Sequence, residues 1–372
     1  MKRLASAVRP DFGKKLESIG LSFWEWDSYW KEDVCYRFTA AQIDDLEAAT
    51  AELHRLCLQA VKYAIEHDRL FDLKIPEAFH PLIKSSFFAD DFSLYGRFDL
   101  AYDGINPPKM LEYNADTPTS ILESAVAQWY WLEDVFAEDD QFNSLHEKLV
   151  ARWKALPDDG PIHFASISNN EEDWVAIAYL MDTAMQAGKQ VEHVSLEDIG
   201  WDDSKAQFVD KLDKSIKCLF KLYPWEWMMR EPFGEHVFDS GTRFVEPIWK
   251  SVLSCKGMLA ILWELFPNHP NLLETYFEHP HDLTAFAKKP LFSREGADIE
   301  FYEDGQLTCR SSQGVYGAEG YVYQALFSLP CFHGMYPVIG SWVVGGEPAG
   351  ICIREDVTPI TTNMSHFVPH VF

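Results

Sequence analysis

Apolar residues between Ile43 and Ala64 recur at helical spacing, with Ile43, Leu46, Leu53, Leu56, Ala60, Val61 and Ala64 on one stripe. Thr39 and Gln42 precede the stripe as a capping box, so the spacing predicts a helix that begins there. Residues 1–90 read as mainly helical. The period then changes. Tyr95-Gly96-Arg97-Phe98-Asp99-Leu100 and Leu111-Glu112-Tyr113-Asn114-Ala115-Asp116 read as two strands. Asp103-Gly104-Ile105-Asn106-Pro107-Pro108 between them reads as a hairpin loop. Ser120 to Phe136, with Trp129, Trp131 and Leu132, reads as a buried helix.

Pro-Asp-Asp-Gly at 157–160 marks a turn and a subdomain boundary. Beyond it strands and helices alternate: Pro161–Ser168 strand, Asp173–Ala187 helix ending at Gly188, Gln190–Ser195 strand, Ile216–Tyr223 strand. That order predicts a small parallel α/β unit. From Phe286 the runs KKPLF, IEFYEDGQLTCR, YVYQALF, YPVIGSWVV and AGICIRE, broken by Gly-containing turns, predict antiparallel β-structure. No internal repeat or low-complexity tract occurs.

The 372 residues are almost half apolar and include 13 Trp, 15 Tyr and 26 Phe, a composition that excludes disorder. The net charge of −26 excludes a nucleic-acid partner and an anionic membrane surface. It suits cationic partners, polyamines included, or serves solubility alone. The seven cysteines contain no Cys-x-x-Cys pair, which speaks against a cysteine zinc site and for buried thiols in a reducing compartment. No signal-peptide or membrane-span pattern is visible, so the expected location is the cytoplasm.

The hairpin carries the most chemistry. Residues two apart share a face of a strand, so Arg97 and Asp99 project together, as do Glu112, Asn114 and Asp116. Closure about Ile105 and Asn106 sets Asp99 opposite Glu112 and Arg97 opposite Asn114. Opposed carboxylates repel. A hard divalent cation, which takes oxygen ligands, turns that repulsion into binding. The alternative is an exposed hairpin with a mixed-charge face. A glycosidase-like pair of acids needs about 5 Å or more between them, so directly opposed carboxylates suit a metal better.

Further along, Lys288-Lys289-Pro290-Leu291-Phe292-Ser293-Arg294-Glu295-Gly296 sets lysine on a strand before a short loop. That arrangement holds phosphates in some proteins and is a solvated hairpin in others. Tyr323-Gln324-Ala325-Leu326 is either a strand that reads an adenine or an ordinary buried strand. Arg354 either clamps an anion or pairs with Glu355 or Asp356. Glu171-Glu172-Asp173 either binds an amine or opens a helix. Tyr223-Pro224-Trp225-Glu226-Trp227 is a pocket wall or aromatic core. No Gly-x-Ser-x-Gly or His-Glu-x-x-His motif occurs. His366 and His370 flank Pro369, so they do not form a helical ligand pair.

Taken in order, LYGRFDLAYDG, LEYNADTPTS, the Lys256-Gly257 stretch followed by LWELFPNHPNLL, KKPLFSREG, YVYQALF and AGICIRED resemble the synthetase domain of glutathionylspermidine synthase, an ATP-grasp ligase family. The resemblance spans nearly the whole chain. It implies an α/β ATP-grasp fold, circularly permuted and glutathione-synthetase-like, with a helical N-terminal part, a small parallel α/β subdomain and a β-rich lid. The implied division is 1–156 (helical region and metal-binding hairpin), 157–250 (small α/β subdomain) and 251–372 (lid and C-terminal core strands). The implied activity is ATP- and Mg2+-dependent joining of a small or peptide acid to an amine through an acyl phosphate. A monomer or homodimer is expected.

The same resemblance assigns roles. Asp99, Glu112 and Asn114 correspond to Mg2+ ligands. Arg97 corresponds to the residue that acts on the transferring phosphoryl group. Lys256, Lys289 and the Ser293-Arg294-Glu295-Gly296 loop correspond to the ATP-phosphate site, and Gln324, Ala325, Leu326 and Phe327 to the adenine strand. Thr117 and Arg354 correspond to acid contacts. Apart from the resemblance, Glu171 and Glu172 of the acidic triple are taken as the candidate amine contacts. Two departures stand out. Where the family carries an amine-binding acid near the C-terminus, this chain has Ser365-His366-Phe367-Val368-Pro369. Where the family has Thr after a Trp-Glu pair, this chain has Trp227. Both lie on the substrate side, so a different acid or amine is expected. The chain also begins too late for the family's amidase domain, so amidase activity is not expected. The competing function is a nucleotide- or polyamine-binding protein of the same fold without catalysis.

Overall fold

The computed structural model describes residues 1–157 and 160–372. Asp158 and Asp159, half of the turn expected at 157–160, lie outside the described residues. The chain opens with β1 (Lys2–Ala5), α1 (Phe12–Ser18), β2 (Val34–Arg37), α2 (Ala40–Glu66) and α3 (His80–Phe88). The hairpin β3 (Tyr95–Ala101) and β4 (Lys109–Asn114) follows, then α4 (Gln128–Val135) and α5 (Leu145–Lys154). Next come β5 (Ile162–Ser166), α6 (Glu171–Gln186), β6 (Val191–Ser195), β7 (Gly200–Asp202), β8 (Gln207–Val209), β9 (Cys218–Lys221), α7 (Trp225–Met228) and β10 (Arg243–Val245). The last third holds α8 (Ser251–Ser254), α9 (Gly257–Leu265), β11 (Thr275–Phe277), β12 (Ala285–Pro290), β13 (Glu300–Glu303), β14 (Gln306–Arg310) and β15 (Tyr321–Ala325). It ends with β16 (Tyr336–Val344), β17 (Glu347–Asp356), β18 (His366–Val368) and β19 (His370–Val371).

The central sheet has the order β18-β17-β16-β3-β4 and is antiparallel throughout. On one face lies α2, whose stripe is buried as the spacing predicts. Its capping box is formed: Thr39 accepts from the Gln42 N–H, and the Gln42 side chain accepts from the Thr39 N–H. Phe98 and Tyr113 stack on this side, with ring centroids 3.8 Å apart, and the Tyr113 hydroxyl meets His54 of α2. On the other face lie the helical segment leading into α4, and α5. Trp131 and Leu132 of the predicted 120–136 helix are buried there, while Trp129 stays partly exposed. One turn, Glu123–Ala127, is π-helical.

A second sheet, β10-β9-β5-β6, is parallel in every pairing, and α6 packs on it as the strand–helix–strand order predicts. A third, β11-β15-β12-β13-β14, is antiparallel. The first ninety residues are mainly helical, as read, with β1 and β2 added as a small sheet with β19, the end of the chain. The C-terminal strands divide between two sheets. Strands β12 to β15 join β11 in the third sheet, whereas β16 and β17 carry the hairpin in the central one. Five of the seven cysteines are buried and Cys331 is exposed. Among the described residues, no helix is long and apolar enough to cross a membrane.

Candidate active site

The β3–β4 register sets Asp99 against Glu112 and Arg97 against Asn114. The pairing slips by one beyond Asp99, where Leu100 faces Met110, so Leu111 is an extra residue in β4. Such a bulge turns the strand locally and re-aims the neighbouring side chains. All four polar side chains then gather on the side of the sheet opposite the Phe98–Tyr113 stack.

Arg97 is buried and held at three points. Its Nε donates to Asp99 Oδ1 at 2.8 Å, its Nη1 donates to the Thr119 carbonyl at 2.8 Å, and its guanidinium lies 5.5 Å from the Trp342 ring centre. Burial works against the Arg97 charge, but Asp99 outweighs it and raises the guanidinium above its ordinary value. Space for its arm comes from Gly340, the cross-strand neighbour of Asp99. A Cβ there would stand 2.8 Å from Arg97 Cδ and 2.5 Å from Cys352 Sγ.

Glu112 accepts from Asn114 Nδ2 at 3.1 Å and pairs with Lys256 Nζ at 2.9 Å. Burial alone would raise its carboxyl, but Lys256 and Lys289 hold it at about 2. It is therefore a carboxylate at any working pH. Lys256 precedes α9 and also donates to the Ser293 carbonyl at 2.6 Å. Lys289 of β12 donates to Gln324 of β15 at 2.6 Å and to the carbonyl of the bulged Leu111 at 3.2 Å. Burial lowers the Lys289 ammonium to about 8, with Glu112 opposing the shift.

Two clefts meet at this cluster. The first is lined by Asp99, Leu111, Glu112, Lys289 and Gln324, with Ala325, Leu326, Phe327 and Val338 as apolar wall; its free volume is about 70 Å³. The second, about 200 Å³, is polar. Arg97, Asn114, Thr117, Glu172, Asp173, Trp227, Arg294, Glu295, Arg354 and Asn363 line it. Asp99, Glu112, Gly296 and Thr361 border both. Roomier cavities of about 420 and 500 Å³ lie elsewhere, and none of these residues lines them.

The polar cleft has an acidic wall and a basic one. Asp173 is raised to about 7 by burial and by the neighbouring Glu172 and Glu295 charges. Glu172 is raised by burial, although it accepts two contacts from Asn363 Nδ2 at 3.1 and 3.2 Å. Across the cleft Arg354 donates to the Thr362 carbonyl at 2.7 Å, and Arg294 donates to Thr117 Oγ1 at 2.8 Å and pairs with Glu226. Glu355 is engaged by Arg3 and Tyr36 instead of Arg354.

Most of the residues singled out in the sequence thus converge. Arg294 lines the polar cleft, on Thr117 and Glu226, and Ser293 is buried. Glu171 is exposed in the first turn of α6 and takes no part in the cleft, because successive helical residues point about 100° apart. Asp116 leaves the hairpin face to accept from Lys221 Nζ and the Trp225 N–H at 2.7 and 2.8 Å. Asp173 reads with Glu171 and Glu172 as an amine site or a helix start, and it lines the cleft with Glu172. Glu295 reads as part of the phosphate loop and stands instead on the acidic wall, and Asn363 was not foreseen.

A family model described as glutathionylspermidine synthase preATP-grasp matches residues 3–372. A Haemophilus influenzae protein named "Putative acid--amine ligase" is 43% identical over 392 aligned positions that cover both chains completely. Trypanothione synthetase of Crithidia fasciculata is 27% identical over 83% of this chain and 52% of its own length. The bifunctional glutathionylspermidine synthetase/amidase of Escherichia coli is 27% identical over 90% of this chain and 58% of its own length. The chain therefore spans little more than half of those two relatives. Among solved structures, a glutathione synthetase-like effector from Globodera pallida superposes with a TM-score of 0.58 at 10% identity, covering 98% of each chain. A structure described as a putative gamma-glutamylcysteine synthetase from Methylobacillus flagellatus gives 0.51 at 11% identity, covering 88% of each. These two likenesses establish a mixed α/β, glutathione-synthetase-like fold. The match from residue 3 to residue 372 goes further and places the chain in the glutathionylspermidine synthase family.

Proposed function

We propose that this chain is an ATP- and Mg2+-dependent ligase that joins a carboxylic acid to an amine through an acyl phosphate. The observation that carries the reading is the meeting of two clefts at Asp99 and Glu112, beside Arg97 and Asn114, one cleft phosphate-ready and the other polar and two-signed. The names of the relatives support the reaction class. In this reading the fold is a circularly permuted ATP-grasp, with the sheet of β11 to β15 as lid and divisions near residues 156 and 250. Its buried thiols suit the cytoplasm.

The donor set fits magnesium. Asp99, Glu112 and Asn114 offer only oxygens to a cation, and Glu112 is ionised. The Asn114 amide nitrogen sits between the two carboxylates, 3.4 Å from Asp99 Oδ2 and 3.1 Å from Glu112 Oε1, where positive charge is called for. Bound there, the ion would neutralise phosphate charge and align the triphosphate for in-line attack.

The chain supplies the rest. Lys289 and Lys256 meet the phosphates, while Gln324 to Phe327 border the base. Arg354, Thr117 and Arg294 orient the acid so that its carboxylate attacks the terminal phosphorus and ADP leaves. Arg97, fixed by Asp99, Thr119 and Trp342, stabilises charge on the phosphoryl group in flight. The amine sits against Glu172, Asp173 and Glu295. It must lose a proton before attacking the acyl carbon, and the Asp173 carboxylate, held near 7, accepts it. Phosphate then leaves and the amide remains. A closed lid keeps water from the acyl phosphate.

The test is ADP release against a panel of acids crossed with amines. Turnover is expected only when both are present, and Asp99→Asn or Glu112→Gln is expected to lower it by roughly a thousandfold or more in a folded protein. ATP binding without ADP release across the whole panel would instead favour a nucleotide-binding protein without catalysis.

A further inference from the structure

We propose a second metal site, for a transition-metal dication such as zinc, formed by His163, Glu192 and Asp210 on the parallel sheet. His163 of β5 and Glu192 of β6 are register partners on neighbouring strands, so their side chains leave the sheet on the same side. Asp210 follows β8 and reaches the same point. His163 Nε2 lies 3.5 Å from Glu192 Oε2 and 3.8 Å from Asp210 Oδ2, and one ligand atom from each residue falls within 4.8 Å of the others. Tetrahedral zinc with bonds of 2.0–2.1 Å has ligand–ligand edges of about 3.4 Å. The first two separations are near that value already.

The independent observation is the state of His163. It is only 1% exposed, yet neither ring nitrogen has a hydrogen-bond partner. Buried polar groups are rarely left so, and each exception asks for an explanation. Asp210 is oriented from behind, since its Oδ1 accepts from the N–H groups of Leu212 and Lys214 at 2.8 and 2.9 Å. Its other oxygen therefore faces His163. The competing cation is Lys214, whose Nζ is 3.6 Å from Glu192 Oε1 and whose exposed side chain is free to swing away.

One imidazole with two carboxylates selects zinc-type ions over magnesium or calcium, which prefer all-oxygen shells. No cysteine is involved. The three ligands come from β5, β6 and the 207–214 turn, and none lines the two active-site clefts. The ion is thus a brace for the sheet whose strand β5 leads into the acidic start of α6, not a participant in ligation.

The test uses the full chain, stripped with EDTA, equilibrated with micromolar zinc chloride in millimolar Mg2+ and passed through a desalting column. Wild type is expected to retain one zinc per chain more than Glu192→Gln or Asp210→Asn, and to gain several degrees of thermal midpoint on zinc addition that both variants lack. Both carboxylates are more accessible than the buried histidine, Glu192 more so than Asp210, and circular dichroism verifies that the variants fold. Lys214→Met is expected to retain the zinc. Equal zinc content in wild type and both carboxylate variants, or a wild type that retains none, would overturn the proposal.

Discussion

Asp173 places a carboxylate where its charge is disfavoured, and that makes it testable in isolation. Its folded value, about 7, lies above the ordinary carboxylate range because of burial, Glu172 and Glu295. The folded protein therefore holds a proton that the unfolded chain has lost between about pH 4 and pH 7, and stability falls as pH rises through that window. Asp173→Asn removes the slope: the thermal midpoint should match wild type near pH 4 and exceed it by several degrees above pH 7. Gly340 makes a second residue-scale test. Gly340→Ala forces a methyl onto Arg97 Cδ, so turnover should fall about 100-fold or more while nucleotide affinity, by titration, stays within about threefold. Arg97, Asp99, Glu112 and Asn114 were legible in the sequence because a period of two and a symmetric loop fix who faces whom. Asn363 was not, because no local period links it to a Glu172 that lies 191 residues away.

At the scale of elements, local signals carried far. The capping box and stripe of α2, the hairpin loop, and the alternation behind the parallel sheet all needed only neighbours in sequence. What failed was long-range pairing. Nothing in four residues at Val34–Arg37 announces a partner at the end of the chain, and no pattern says that β15 and β16, so close in sequence, belong to different sheets. The Leu111 bulge was also invisible, although it supplies the carbonyl that Lys289 uses. The loop after β12 is docked by Arg294 on Thr117 and Glu226 and by the close approach of Gly296 to Thr361. Gly296 has φ of 69°, and a Cβ would stand 2.2 Å from the Thr361 carbonyl oxygen. The left-handed backbone alone costs a side chain roughly 1–2 kcal/mol. Gly296→Ala should raise the KM for the acid about tenfold or more, read from initial rates at saturating ATP.

The whole molecule adds charge and closure. Under the proposed function, its net charge of −26 would draw a cationic amine toward a cleft with an acidic wall, and salt would screen that attraction over about 10 Å at 0.1 M. The KM for a polyamine should rise several-fold between about 0.05 and 0.5 M salt with little change in kcat, and that rise should shrink in Glu172→Gln. The cleft beside Lys289 and Gln324, at about 70 Å³, is smaller than the several hundred a nucleotide-sized ligand needs, so under the proposed function the sheet of β11 to β15 would swing away for entry. The central claim is that the acid's own carboxylate attacks the terminal phosphorus of ATP. With the acid identified by the panel and labelled with ¹⁸O in both carboxylate oxygens, mass spectrometry of the products tests it directly. The claim predicts one ¹⁸O in the released phosphate, one in the amide, and ADP as the nucleotide product. Phosphate free of label, or label carried into AMP, would contradict it.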